Sequence, residues 1–374
     1  MIKSQLPIPV SGLTSSLSVG LNDDGELDEI IHLLGGCLSG HIPTISDERR
    51  AEGEESNFAY DYMCPRISDL NFIFDPKNHT DPIRKGESMP RPRHRHASIA
   101  VNGFIWVLGG RDQNDFVINE IDIFDSIQGK WKTLETGLNE IQVLDPTQND
   151  ELGYEVSDQC VFESSGFIVM TGGFDSEYNA LGHTIMIDPD ASLEQNSLVY
   201  EIKSSLNTPR GSCGVASHAN FAYIVGGFTD EDGFCEAMKS VEVYDLKKDI
   251  WTQMDNELMI GRANPGVFYY DSRIVAFGGE NRGTFDIISE KCMDEYEAMD
   301  ALSFEDNRML PNRLAFPINA NSIEVWELPD ARPDDSVPWL TEKVNFLNDF
   351  VFLFHLRNSF ILSLYNLCCS EYDE

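Results

Sequence analysis

Along this chain, short apolar runs end again and again on a glycine doublet. Ile31–Leu34 leads to Gly35-Gly36, Phe104–Leu108 to Gly109-Gly110 and Phe167–Met170, through Thr171, to Gly172-Gly173. Tyr223–Val225 leads to Gly226-Gly227, and a fifth run closes on Gly278-Gly279. Runs of this length bounded by turn residues predict strands rather than helices. Three doublets share a register, since Arg93, Arg210 and Arg262 each stand 17 residues before the second glycine. The second glycine recurs at 36, 110, 173, 227 and 279. These intervals shrink toward the period of about 50 residues expected of a propeller blade carrying loop insertions.

Each unit divides into strands and turns. Ala97–Val101 and Phe104–Leu108 flank Asn102-Gly103, a tight-turn dipeptide. The doublet follows where the chain needs positive φ or close backbone approach. A third strand closes on an aromatic-Asp pair, Phe74-Asp75, Phe124-Asp125 or Tyr244-Asp245, with Ile187-Asp188 as a weaker version. A fourth begins with Trp, at Trp131 and Trp251, each six residues past its Asp. Tryptophan there suits packing between neighbouring blades.

The pattern resembles the kelch repeat, on Pro92-Arg93, His96-Ala97-Ser98, Asn102-Gly103, Gly109-Gly110, Phe124-Asp125 and Trp131, and again on Pro209-Arg210, Tyr223–Gly227, Tyr244-Asp245 and Trp251. In the later units Cys213 and Pro265 take the place of His96. The resemblance implies an all-β, kelch-type β-propeller of about five to six four-stranded blades with a short apolar C-terminal segment. It divides the chain into an N-terminal extension 1–5, a propeller 6–340 with units near 6–88, 89–138, 139–206, 207–257 and 258–340, and a tail 341–374. In an up-and-down blade, the link from second to third strand shares a face with the link into the next blade. Function is expected on that loop face.

The resemblance implies a non-catalytic module or scaffold that binds another protein through the loop face. The basic cluster Arg91-Pro92-Arg93-His94-Arg95-His96 sits at one blade's start. Arg91, Arg93, Arg95, Arg210 and Arg262 are therefore the partner-binding candidates, able to hold carboxylates of an acidic peptide. The competing reading makes Arg93, Arg210 and Arg262 structural, paired with Asp or Glu to stitch the ring. The glycine doublets, Trp131 and Trp251 are read as structural. The alternative function is an enzyme on the same scaffold, a sugar isomerase or hydrolase, or a copper oxidase similar to galactose oxidase. The eight His form no recognisable ligand set with Tyr and Cys, so no metal or cofactor is expected. No phosphate loop, nucleophile elbow or HExxH is present.

Charge and cysteine add bounds. The chain's 374 residues hold 27 Lys and Arg against 63 Asp and Glu, a net charge of −36, which disfavours nucleic acid and anionic membranes as partners. Eight cysteines without metal-knuckle spacing are read mostly as reduced, apolar core residues. With no secretory h-region and no 18-residue uncharged apolar span, a cytoplasmic location is expected. Asn78-His79-Thr80 is read as an accidental sequon. Arg49–Ser56 reads as a polar loop and residues 280–321 as an acidic insertion and candidate partner-binding loop. Residues 344–369 read as an amphipathic segment.

Overall fold

In the computed structural model the described residues are 6–8, 10–22, 25–38, 66–78, 83–144, 151–230, 236–281, 285–286, 291–292, 314–315, 322–328, 333 and 339–343. They build five four-stranded antiparallel meanders. Blade 1 comprises Thr14–Leu21, Leu27–Leu34, Asn71–Phe74 and Ile83–Lys85, and blade 2 Ala97–Val101, Phe104–Leu108, Asp122–Asp125 and Lys130–Thr133. Blade 3 comprises Cys160–Ser164, Phe167–Thr171, Thr184–Ile187 and Tyr200–Lys203. Blade 4 comprises Gly214–His218, Phe221–Val225, Val241–Asp245 and Ile250–Gln253. Blade 5 comprises Gly266–Tyr270, Arg273–Phe277, Ser322–Glu327 and Leu340–Lys343, so its outermost strand runs past residue 340. The first strands lie innermost, each packed on that of the next blade from 1 to 5. The propeller expected from the repeat is the fold observed.

Alternation of side chains across each strand builds the core. In blade 3, Ile168 and Met170 face blade 2, packing in one cluster with Ile99, Trp106 and Ile123. Between them, Val169 points the other way, toward Ile224, Tyr244 and Trp251 of blade 4. Each blade is thus apolar on both faces, and its neighbours supply the cover that a lone sheet would lack.

The aromatic-Asp pairs start the turn between third and fourth strands. Asp125 Oδ1 accepts from the Ile127 and Gln128 amides (2.9 and 2.8 Å), and Asp245 Oδ1 from those of Lys247 and Lys248 (3.1 and 3.2 Å). Asp188 instead caps the helix Pro189–Gln195, its side chain accepting from the Ala191 amide at 2.9 Å. The tryptophans bridge blades: Trp131 Nε1 donates to the Glu87 carbonyl (3.0 Å) and Trp251 Nε1 to that of Ser204 (2.8 Å).

Cysteine usage corrects the expectation. Cys160 and Cys213, at the inner strands of blades 3 and 4, form a disulfide with Cα atoms 5.9 Å apart, and Cys37 is likewise disulfide-bonded. The two inner strands approach at the ring's centre, a proximity that a separation of 53 residues conceals. A reducing compartment loses the support it drew from those thiols. No described helix is long and apolar enough to cross a membrane. The Arg49–Ser56 loop, most of the acidic insertion, the 344–374 tail, the rest of the sequon after Asn78, and Cys64, Cys235, Cys368 and Cys369 lie outside the described residues. Of the insertion, Phe285–Asp286, Lys291–Cys292 and Leu314–Ala315 form a small sheet.

Candidate functional site

The loop face is assembled from the lead-in to each blade, the four residues before its first strand. At four seams the second glycine of a doublet donates its amide to the first lead-in residue of the next blade. Gly36 bonds the Arg93 carbonyl (3.0 Å), Gly110 that of Val156 (3.1 Å), Gly173 that of Arg210 (2.8 Å) and Gly227 that of Arg262 (2.7 Å). A Cβ on the first glycine of these pairs would overlap the same carbonyl oxygen, and all ten doublet glycines have positive φ. Both reasons for glycine therefore hold at once. At the fifth pair, no atom of the described residues lies within 4 Å of a Cβ on Gly278.

The three in-phase arginines then reach forward from that stitch into their own blade. Arg93 donates to the Gly109 carbonyl (2.9 Å) and to Asp122 (2.5 Å). Arg210 bonds the Gly226 and Ser240 carbonyls (3.2 Å each) and Glu242 (2.9 Å). Arg262 bonds the Gly278 carbonyl (2.8 Å) and holds Glu324 through Nε and Nη2 (3.1 and 3.0 Å). All three side chains and their carboxylates are fully buried. Burial pulls the Arg93 guanidinium down to about 10, against the opposing pull of Asp122, so it remains a cation at neutral pH. In blades 1 and 3 the same two places hold Val10 with Phe72 and Val156 with Ile185, all buried in apolar clusters.

The second lead-in motif is a ring of left-handed residues. Gly12, Arg95, Asp158, Ser212 and Asn264 each stand two residues before a first strand, with φ of 60, 54, 55, 54 and 49°. The Asp158 amide donates to the Arg95 carbonyl (2.8 Å), Ser212 to Asp158 (2.8 Å) and Asn264 to Ser212 (2.5 Å). These residues surround a central cavity of about 150 Å³, whose wall includes His96, Gln159 and the Cys160–Cys213 pair. Arginine seldom adopts this backbone region, whereas Asn and Asp tolerate it.

Of the basic cluster, Arg91 and Arg95 stay partly exposed. Arg91 pairs with Glu120 at 2.8 Å, and Arg95 lies 3.6 Å from Asp158 and 5.7 Å from the centre of the Tyr178 ring. Arg111 is buried, stacked 3.7 Å from that ring and bonded to Ser157 Oγ (3.0 Å) and the Asp115 carbonyl (3.0 Å). Tyr178 donates to Asp115 (2.8 Å), and burial raises its hydroxyl's pKa. Beside Asp115, Phe116 projects with 70% of its surface exposed. Arg111, Tyr178, Asp158 and Phe116 escaped the sequence reading. The signal that could have found them is the shared loop grammar of Gly-Gly-Arg-Asp and Gly-Gly-Phe-Asp, where Asp112 and Asp175 turn the chain alike. Each accepts, through Oδ1, from amides two and four residues on.

The kelch motif matches residues 209–256, the lead-in and four strands of blade 4. This chain is a five-bladed β-propeller that carries a kelch motif. It is 24% identical over 178 residues to Kelch-like protein 38 of Homo sapiens, covering 48% of the chain and 27% of that protein. It is 25% identical over 215 residues to a putative F-box/kelch-repeat protein of Arabidopsis thaliana, covering 56% of the chain and 44% of the relative. The Kelch repeat and BTB domain-containing protein 1 of Horsepox virus matches at 23% over 262 residues, 63% of the chain and 42% of the relative. The kelch chain thus spans less than half the length of these curated relatives. Among solved structures, YjhT superposes with a TM-score of 0.56 at 12% identity, covering 87% of this chain and 84% of that one. That likeness shows the propeller alone. Among the described residues no three His, Cys, Asp or Glu side chains gather to hold a metal ion.

Proposed function

We propose that this kelch propeller is a non-catalytic interaction module that binds another protein on the face formed by the lead-ins and the loops after the glycine doublets. The observation that carries the proposal is the arrangement of that face. The Asp112 turn holds Phe116 on the loop after the blade 2 doublet with most of its surface exposed, and Arg91 and Arg95 of the same blade's lead-in are partly exposed. An exposed aromatic on a fixed loop is the type of anchor that dominates protein interfaces, and a preformed ring docks with little rearrangement. The kelch-named relatives favour the same reading.

Arg93, Arg210 and Arg262 contribute to the face indirectly, since their buried guanidinium groups hold its backbone in place. The direct contacts fall to Phe116, Arg91 and Arg95. Affinity capture with the wild type beside Phe116→Ser and the Arg91→Glu/Arg95→Glu pair tests this, with circular dichroism confirming the fold. Loss of a partner from both variants supports the reading. Capture of the same partners by all three proteins would overturn it.

A further inference from the structure

Four seams between blades are stitched in one way, and the fifth, from blade 5 back to blade 1, lacks that stitch. A Cβ on the first glycine of the other four doublets would overlap the next lead-in carbonyl, whereas one on Gly278 has no described atom within 4 Å. The buried Gly279 amide donates to no acceptor among the described residues, where Gly36, Gly110, Gly173 and Gly227 each hold a lead-in carbonyl. Nor does Gly266–Tyr270 pack on Thr14–Leu21 as the other first strands pack on their neighbours.

Side chains mark the same seam. In each second strand, the residues three and one before the doublet point at the next blade. Trp106 and Leu108 pack against blade 3, and Tyr223 and Val225 against blade 5, all fully buried. Their counterparts in blade 5, Val275 and Phe277, are only partly covered, as are their register partners Val325 and Ile323. Across the seam, Ile31 and Leu33 of blade 1 cluster with Val10, Leu13 and Phe72 and with no residue of blade 5. Blade 5 thus presents an apolar sheet face and an unused backbone donor, the two features that a following blade covers at every other seam.

The chain's own continuation fits that face. Leu340–Lys343 ends blade 5, and the first strands of blades 2, 4 and 5 begin 11 to 13 residues past the fourth strand of the blade before. Counted from Lys343, that spacing falls within a few residues of Leu353, inside the apolar tail. There Asn358-Ser359 separates Leu353–Arg357 from Phe360–Leu364. Asn102-Gly103, Ser165-Gly166 and Ala219-Asn220 separate the first two strands of blades 2, 3 and 4, whose second strands likewise run five residues from Phe104, Phe167 and Phe221. We propose that Leu353–Leu364 forms a two-stranded hairpin docked on the open face of blade 5, with Ile361 toward Val275 and Phe277 and a carbonyl of its lead-in on the Gly279 amide. Tyr365-Asn366 stands where a doublet would follow, so the hairpin covers blade 5 without a glycine stitch onward to blade 1.

Hydrogen–deuterium exchange of the full chain, read by mass spectrometry, tests this. The amides of Phe360–Leu364 and of Gly279 are expected to exchange at least about a hundredfold slower than unstructured ones. Ile361→Asp sets a charge against Val275 and Phe277 and should return both segments to fast exchange. Phe277→Asp should release the tail from the other side. Phe104–Leu108 and Phe167–Thr171 report whether the remaining blades stay folded, and Leu27→Asp, at a blade 1 position 61% exposed, should leave the tail protected. Where Phe277→Asp unfolds those blades as well, Ile361→Asp decides: loss of Gly279 protection supports the docked hairpin, and its retention overturns it. Fast exchange of the tail in the unaltered chain overturns the proposal, as does tail protection that survives Phe277→Asp in a folded protein. Protection that disappears on about a hundredfold dilution also overturns it, since a second copy would then hold the tail.

Discussion

Blades 3 and 4 solve one problem in two ways. Both must anchor a lead-in against the top of their third strand, beneath a glycine doublet. Blade 4 does so with Arg210 and Glu242, a fully buried ion pair whose carboxylate also accepts from the amides of Asn207 (2.7 Å) and Thr208 (2.9 Å). Blade 3 does so with Val156 and Ile185, buried in the apolar cluster it shares with blade 2. The backbone stitch above them is the same, with the Gly110 amide on Val156 and the Gly173 amide on Arg210. The glycines therefore specify the seam, while the arginine and its acid are one of two fillings for the space below. A buried pair supplies direction at a desolvation cost, whereas an apolar pair supplies only volume.

The largest expected effect comes from breaking the ionic filling. Arg210→Met leaves the Glu242 carboxylate buried without its cation, held only by the Asn207 amide and side chain and the Thr208 amide, and should lower stability by about 3–5 kcal/mol in urea unfolding. Adding Glu242→Gln removes the stranded charge and keeps one oxygen, enough for either the Asn207 donors on Oε2 or the Thr208 amide on Oε1. The double variant should recover part of the loss, with a coupling of at least about 1 kcal/mol. Strict additivity of the two changes would show that the pair is not the unit described here.

Acid separates the lead-ins next. Blade 2 carries His94 where blades 3, 4 and 5 carry Ser157, Gly211 and Ala263. Burial first, then the charges of Arg95 and Arg111, brings His94 down to about 3, so it is neutral in the fold. An imidazole depressed in the native state contributes fully above its unfolded value of about 6.5, and that contribution drains away as pH falls toward about 3. Lowering pH from 7 to 5 should cost about 2 kcal/mol through His94. His94→Ser, the residue blade 3 uses, should flatten that part of the pH profile. An unchanged slope would place the titration elsewhere.

The apolar filling should fail more gently. Ile185→Val removes one methylene from a fully buried position and should cost about 0.5–1.5 kcal/mol, read as a shift in urea midpoint with no change in slope. A loss as large as that of Arg210→Met would mean that blade 3 depends on exact shape at this place, and the two fillings would not be interchangeable.

What the amino-acid pattern revealed follows from the same contrast. Doublet glycines and the Arg register were legible because each is required by one backbone geometry that few residues satisfy. Val10–Phe72 and Val156–Ile185 were not, because an apolar pair looks like any other core residue in sequence. The ring of left-handed residues was hidden for another reason. Gly, Arg, Asp, Ser and Asn share no side-chain property, and only the backbone they adopt makes them equivalent. The cavity depends on lead-ins from all five blades and the Cys160–Cys213 link on the packing of two adjacent blades, and no local window contains both partners.

The smallest effect tests burial itself, within one lead-in. Arg91 and Arg93 both address Asp122, Arg93 from inside at 2.5 Å and Arg91 from the rim at 3.4 Å. Arg91 keeps 24% of its side chain exposed, and its closer partner Glu120 keeps 57%. Water and salt screen that rim pair, and holding two long side chains costs entropy, so Arg91→Gln should change stability by no more than about 0.5 kcal/mol. That small difference should vanish at high ionic strength. Arg93→Gln, two residues away, should cost several times more and respond little to salt, because no ion reaches Asp122 behind it. If the two substitutions proved equal, or if salt rescued the inner one, the carboxylate would be open to solvent and the division between a structural Arg93 and a surface Arg91 would collapse.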